Sequence, residues 1–203
     1  MKQFFLLVTI VIASSFSKMG LDALTDSERK QAIDFFQKSK DHFLASVKGL
    51  SVAQLNWKAD STRWSVAQCA EHIALSEKLI WQWNSSLMAA PATPEKKSDV
   101  KITNEQLMAA VVDRSRKGQA PEMLRPGGKF PSTDAAVATF TLRRDSTMNY
   151  IRTTNDDLHS HYGVHPAFGT LDCYAMLLML AGHSERHTLQ IDEVKATPGF
   201  PKE

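Results

Sequence analysis

What most constrains this chain is one stretch near its C-terminal end. From about Thr170 to Lys195 the sequence TLDCYAMLLMLAGHSERHTLQIDEVK keeps a helical pattern, and TPGFP stops it. Leu177, Met179, Leu180, Leu189 and Ile191 are apolar, so much of this helix must be buried. It needs partners of similar length to cover it.

The chain supplies them. LTDSERKQAIDFFQKSKDHFLASVKGL opens with Thr25 and Glu28 in capping-box spacing, and Ile33, Phe36, Phe43, Val47 and Leu50 recur near the helical period. RWSVAQCAEHIALSEKLIWQWNSSLMAA begins with Ser65 and Gln68 at the same spacing, carries Val66, Cys69, Ile73, Leu79 and Ile80, and ends at Pro91 and Pro94. A third long helix is expected from about Asp134 to Leu158, on Ala136, Val137, Phe140, Met148 and Ile151. Between the second and third lies a shorter helical piece, KITNEQLMAAVVDRSRKG, with Thr103 and Gln106 as its cap pair, followed by the Pro- and Gly-rich loop QAPEMLRPGGKFPST. SVAQLNWKADSTR reads as a polar connection and HSHYGVHPAFGT as a loop, with no convincing β alternation. The pattern predicts an all-α four-helix bundle with a short extra helix between the second and third long helices.

The N-terminus is different. MKQFFLLVTIVIASSFSKMG has a basic Lys2, an apolar run from Phe4 to Ala13, then small residues before Lys18. That is the layout of a signal peptide over residues 1–17, leaving 18–203 as the bundle domain. The run is too short to span well, so no stable membrane anchoring is expected after cleavage. The mature protein would be exported, periplasmic or secreted; a leader that does not function would leave it cytoplasmic. The formal net charge of +2 is spread along the chain, with no block of Lys and Arg and no Gly-rich phosphate loop. Nucleic acid is therefore not the expected partner; a small-molecule substrate is.

His183 and His187, in AGHSERHTLQ, lie four residues apart on a strongly helical pattern and share one face. That spacing is common by chance. The pair is either two hydrogen-bonded histidines at the edge of a core or two ligands of a divalent cation, which neutral imidazoles hold well. A third ligand would have to come from a facing helix, and His72 in CAEHIAL is the candidate. His161 and His165 have the same spacing, but Gly163 and Pro166 break the helical geometry, so they read as loop residues, with His165 the one to consider at a site rim. A zinc-protease helix is excluded, because the glutamate follows the first histidine by two positions rather than one. Glu71 and Glu185 adjoin candidate ligands but point elsewhere on their helices and read as solvated, with support of the neighbouring ligand as the lesser reading; His42 and His159 read as surface residues. Arg186 reads as either an anchor for an anionic substrate or a surface ion pair. The four tryptophans read as core or rim packing.

These passages resemble the DinB-like (DinB/YfiT) family of four-helix bundle proteins. RWSVAQCAEHIALSE is similar to the start of that family's second helix, and HPAFGTLDCYAMLLMLAGHSERHTLQI to its entry into and path along the last helix. The likeness runs from about Thr25 to Pro201. It implies a divalent metal, zinc, nickel or iron, held by three histidines that carry over to His72, His183 and His187. Three protein ligands leave a position for water or substrate. The catalytic groups stay unknown beyond a metal-bound water or thiol. Family chemistry includes bacillithiol and mycothiol transfer and a maleylpyruvate isomerisation, and the resemblance also implies a homodimer. The leader fits poorly with a cytosolic thiol. The expected function is therefore a metal-dependent hydrolase or thiol S-transferase, with an exported non-catalytic metal- or ligand-binding protein as the alternative. Family topology runs the second and last helices antiparallel, which separates Cys69 from Cys173 and predicts no disulfide between them.

Overall fold

The computed structural model describes residues 23–115 and 118–202. The expected signal peptide, residues 1–17, lies outside the described residues. The order is α1 (Asp26–Val47), α2 (Val52–Asn56), α3 (Val66–Ala89), a 3-10 turn (Pro94–Asp99), α4 (Asn104–Val112), a second 3-10 turn (Glu122–Leu124), α5 (Thr133–Thr153), β1 (Tyr162–His165), β2 (Gly169–Asp172) and α6 (Cys173–Ala196). Helices α1, α3, α5 and α6 form the expected bundle, and α4 is the short extra helix.

The helix starts are set locally. Thr25, Ser65 and Thr103 each accept the N3 backbone N–H, while Glu28, Gln68 and Gln106 reach back to the cap N–H. Each box satisfies two donors that the helix itself leaves unpaired. Ser51 and Gln54 form one more, folding Val52–Asn56 into a single turn where the sequence reads as a polar connection. Asp172 caps α6, accepting from Ala175 N at 2.6 Å.

Two boundaries differ from expectation. α5 ends at Thr153 rather than near Leu158, and α6 begins at Cys173 rather than near Thr170. The expected loop between them contains an antiparallel hairpin, with Tyr162 opposite Asp172 and His165 opposite Gly169. Pro166 fixes one φ in its turn, and Gly169 takes the left-handed conformation at φ 72°. Such short strands show no period-2 pattern. What holds the hairpin is docking: a Cβ on Gly163 would meet Leu87 Cδ1 at 2.7 Å and Trp83 Cζ2 at 3.0 Å.

α6 packs against α1, α3 and α4, and α5 packs against α1 and α3. Cys173 to Gly182 is an unbroken buried run, because α1, α3, α4 and the hairpin leave no face of it to solvent. The apolar core falls into two clusters. One gathers Phe36, Met148, Ile151 and the first half of α6; the other gathers Phe43, Val66, Ile73, Phe140 and Ile191. Cys173 lies in the first and Cys69 in the second, both as free thiols. Burial pushes each thiol up to about 12.

A polar layer separates the clusters. Ser39 on α1, Glu77 on α3, Arg144 on α5 and Ser184 on α6 are all buried. Arg144 donates to Ser39 Oγ at 2.8 Å, to Ser184 Oγ at 2.7 Å and to the Glu77 carboxylate. Its guanidinium lies between the rings of Phe36 and Phe140, at 4.6 and 5.0 Å. One side chain thus ties all four long helices together.

Candidate metal centre

His72 comes from α3, and His183 and His187 from one face of α6. The helices pack so that one ring nitrogen from each lies within 4.8 Å of the others. The ring centroids are 5.0 Å apart for His72–His183, 4.3 Å for His72–His187 and 4.6 Å for His183–His187. His72 is buried; the α6 pair is half-buried. Trp64 walls one side, with its ring 4.9 Å from His72 and 6.0 Å from His187.

The hydrogen bonds set the tautomers. His72 Nδ1 donates to the Leu124 carbonyl at 2.8 Å. His187 Nδ1 lies 2.8 Å from Gln190 Oε1, an oxygen that also faces Arg114 Nη1 at 3.4 Å and is thereby assigned as the acceptor. With both Nδ1 atoms protonated, both Nε2 atoms carry lone pairs. Those two Nε2 atoms face each other at 3.1 Å. His183 Nδ1 is buried with no hydrogen-bond partner among the described residues. Lone pairs this close repel each other, an arrangement that a shared cation would relieve and for which a proton is disfavoured. Burial, then the charge of His72, brings His187 down to about 3 despite the Gln190 bond. Burial also lowers His72, outweighing its bond to Leu124, and lowers His183 further, with His187 and His72 adding to the effect. Three neutral imidazoles with converging lone pairs fit a divalent ion.

The surroundings of the site correct several expectations. Glu71 is not solvated: it is 8 % exposed, and its carboxylate accepts from the backbone of Gly127 at 3.0 Å, Gly128 at 3.1 Å and Lys129 at 2.7 Å. Burial alone would raise this carboxyl, but the three N–H groups hold it below its usual range. Glu185 pairs with His42 Nδ1 at 3.0 Å, and Asp192 with His42 Nε2 at 2.9 Å, so His42 bridges α1 and α6 rather than standing free. His159 lies between Asp172, at 3.0 Å, and Glu28, at 3.4 Å. Arg186 donates to the carbonyls of Val111 and Asp113, where α4 ends, and so docks that helix. His165 stacks on Phe168 at 4.9 Å, and His161 Nδ1 bonds the Leu87 carbonyl at 3.0 Å; neither joins the three-histidine group. The long connection after α3 reaches the site through Leu124. No sequence signal marks that carbonyl. Gln190 stands one turn beyond His187, a spacing from which its role could have been read.

The sequence profile described as the DinB superfamily matches residues 35–191. An uncharacterised protein of Bacillus subtilis, YuaE, is 22 % identical over 80 % of this chain and 96 % of its own length. Among solved structures, YfiT from Bacillus subtilis superposes with a TM-score of 0.56 at 14 % identity, covering 89 % of this chain and 93 % of its own. YfiT is described as a probable metal-dependent hydrolase with an unusual four-helix bundle topology. With its bundle, its three-histidine cluster and a profile match across most of its length, the chain belongs to the DinB superfamily.

Proposed function

We propose that this protein is a metal-dependent hydrolase, with His72, His183 and His187 as the ligands of a zinc, nickel or iron ion. The observation that carries the reading is the pair of facing Nε2 lone pairs at 3.1 Å, which a shared cation would relieve. A divalent ion held there supplies Lewis acidity to an oxygen or sulfur donor of a small-molecule substrate. The chain's own part is orientation. The Leu124 carbonyl and Gln190 fix two imidazoles as neutral Nδ1–H tautomers. Trp64 packs on one flank of the rings, and His183 and His187 are less deeply buried than His72. The description of YfiT supports hydrolysis over thiol transfer. So does the leader over residues 1–17, which would carry the protein away from cytosolic thiols. Export is tested by the intact mass of the secreted chain, expected to begin near Lys18.

The test of the centre is metal content by inductively coupled plasma mass spectrometry, on wild type and His183→Ala. Near-stoichiometric metal in wild type, lost in the variant, is the expected result; a wild type that cannot be loaded with zinc, nickel or iron refutes the ligand assignment. The loaded protein is then assayed on esters, amides and thiol acceptors. Turnover confined to thiol acceptors makes it a transferase. Metal without turnover makes it a binding protein.

A further inference from the structure

We propose that Glu71 is a positioning residue for this centre: it straps the Glu122–Lys129 loop onto α3, so that the Leu124 carbonyl holds His72 in its ligating orientation. The inference rests on the reading of the three histidines as ligands.

Glu71 and His72 are consecutive on α3, and the same loop grips both. Gly127, Gly128 and Lys129 donate to the Glu71 carboxylate, and Leu124, a few residues earlier, accepts from His72 Nδ1. The loop is braced between these points. Lys129 Nζ donates to the Met123 carbonyl at 2.7 Å, and Arg125 N to Glu122 O at 3.1 Å. A shift at Gly127–Lys129 is therefore passed on to Leu124. Apolar packing contributes little, since Leu124 is buried but Met123 is 62 % exposed. Pro126 and the two glycines bring almost no side chain to bury, and Gly128 sits at φ 75°. The carboxylate is thus the main tie, and its two oxygens match three N–H groups that the loop cannot pair internally.

Without Glu71 the loop loses that tie, and His72 loses a fixed acceptor. The imidazole is then free to rotate and to exchange tautomers, either of which weakens a ligand. Loss of such an outer partner typically costs about 10- to 100-fold in metal affinity.

The test uses the full chain, with zinc affinity measured by chelator competition and the visible spectrum of the cobalt(II)-loaded protein. Glu71→Ala and Glu71→Gln are made in the wild type and in His72→Ala. Glu71→Ala should weaken zinc about 10- to 100-fold and alter the cobalt spectrum. Glu71→Gln should fall between, because the amide keeps one acceptor oxygen and turns an NH2 toward Gly128. In the His72→Ala background Glu71→Ala should change the residual affinity by less than about twofold, because the effect runs through His72. Wild-type affinity and spectrum in Glu71→Ala overturn the proposal, as does an equal loss in both backgrounds, which would mean general loosening. If Glu71→Ala does not fold, Glu71→Gln carries the same comparison. A wild type that binds neither zinc nor cobalt refutes the ligand reading itself, a failure distinct from that of the strap.

Discussion

Replacing Arg144 with methionine should be among the most damaging single changes in the protein. Methionine fills similar space between Phe36 and Phe140 but removes every donor that Arg144 gives to Ser39, Ser184 and Glu77. Among the described residues Glu77 then stays buried with one accepted bond, from Ser184 Oγ at 3.0 Å, and with Oε2 unpartnered as it already is. Breaking a buried pair in this way costs about 3–5 kcal/mol, against a total stability of about 5–15 kcal/mol. With an m-value of about 2 kcal/mol/M in urea, the unfolding midpoint should fall by roughly 2 M. Burial raises the Glu77 carboxyl, and Arg144 opposes that rise, so the variant raises it further. A carboxyl raised on folding destabilises fully above its folded pKa, and the penalty fades as pH falls from there toward the unfolded value. The loss in Arg144→Met should therefore shrink as pH falls from 8 to 5. Arg144→Met with Glu77→Leu removes both charges and should return to within about 1 kcal/mol of wild type. Urea unfolding followed by circular dichroism at 222 nm reads all three. A single-variant loss below about 1 kcal/mol, or a double variant no better than the single, would falsify the account of a charge-paired layer holding the bundle.

Other outcomes follow from the same geometry. Gly182→Ala places a methyl 2.9 Å from Val111 Cγ1, pushing α4 from α6, and should lower stability by about 1–3 kcal/mol in the same unfolding assay. His159 is raised by its bond to Asp172 against the opposing effect of burial, with Glu28 adding to the rise, so its stabilisation is complete below pH 6.5 and lost as pH climbs through its folded value. The urea-midpoint gap between wild type and His159→Gln should accordingly be wide at pH 6 and narrow at pH 9. The three site histidines are lowered on folding, so the unfolded apo chain takes up protons below pH 6.5 that the folded one refuses. Apo stability should drop between pH 7 and pH 4, and replacing His183 with leucine should flatten that slope. Gln190→Leu removes the acceptor of His187 Nδ1 and should weaken zinc about tenfold in chelator competition.

The sequence by itself determined what depends on near neighbours. Helix starts at Thr25, Ser65 and Thr103 were legible because a capping box is written in residues three apart. The same signal at Ser51 and Gln54 passes for a polar connection because the helix it starts buries no residue. The apolar length of α6 required a bundle, and the one-turn spacing of His183 and His187 placed them on one face. Tertiary structure decided the rest. The hairpin exists because Gly163 lets β1 press on Leu87 and Trp83, a contact with residues far along the chain. Ser39, Glu77, Arg144 and Ser184 each look like ordinary surface polarity, and they become a buried layer only when four helices bring them to one level. Glu71 looked solvated because helix geometry turns it away from its neighbour His72, and only the returning loop, which no local pattern specifies, covers it. Short-range hydrogen bonding and periodicity are carried by adjacent residues and can be read from their order. Desolvation and converging lone pairs depend on which distant segments meet, and the folded chain alone fixes that.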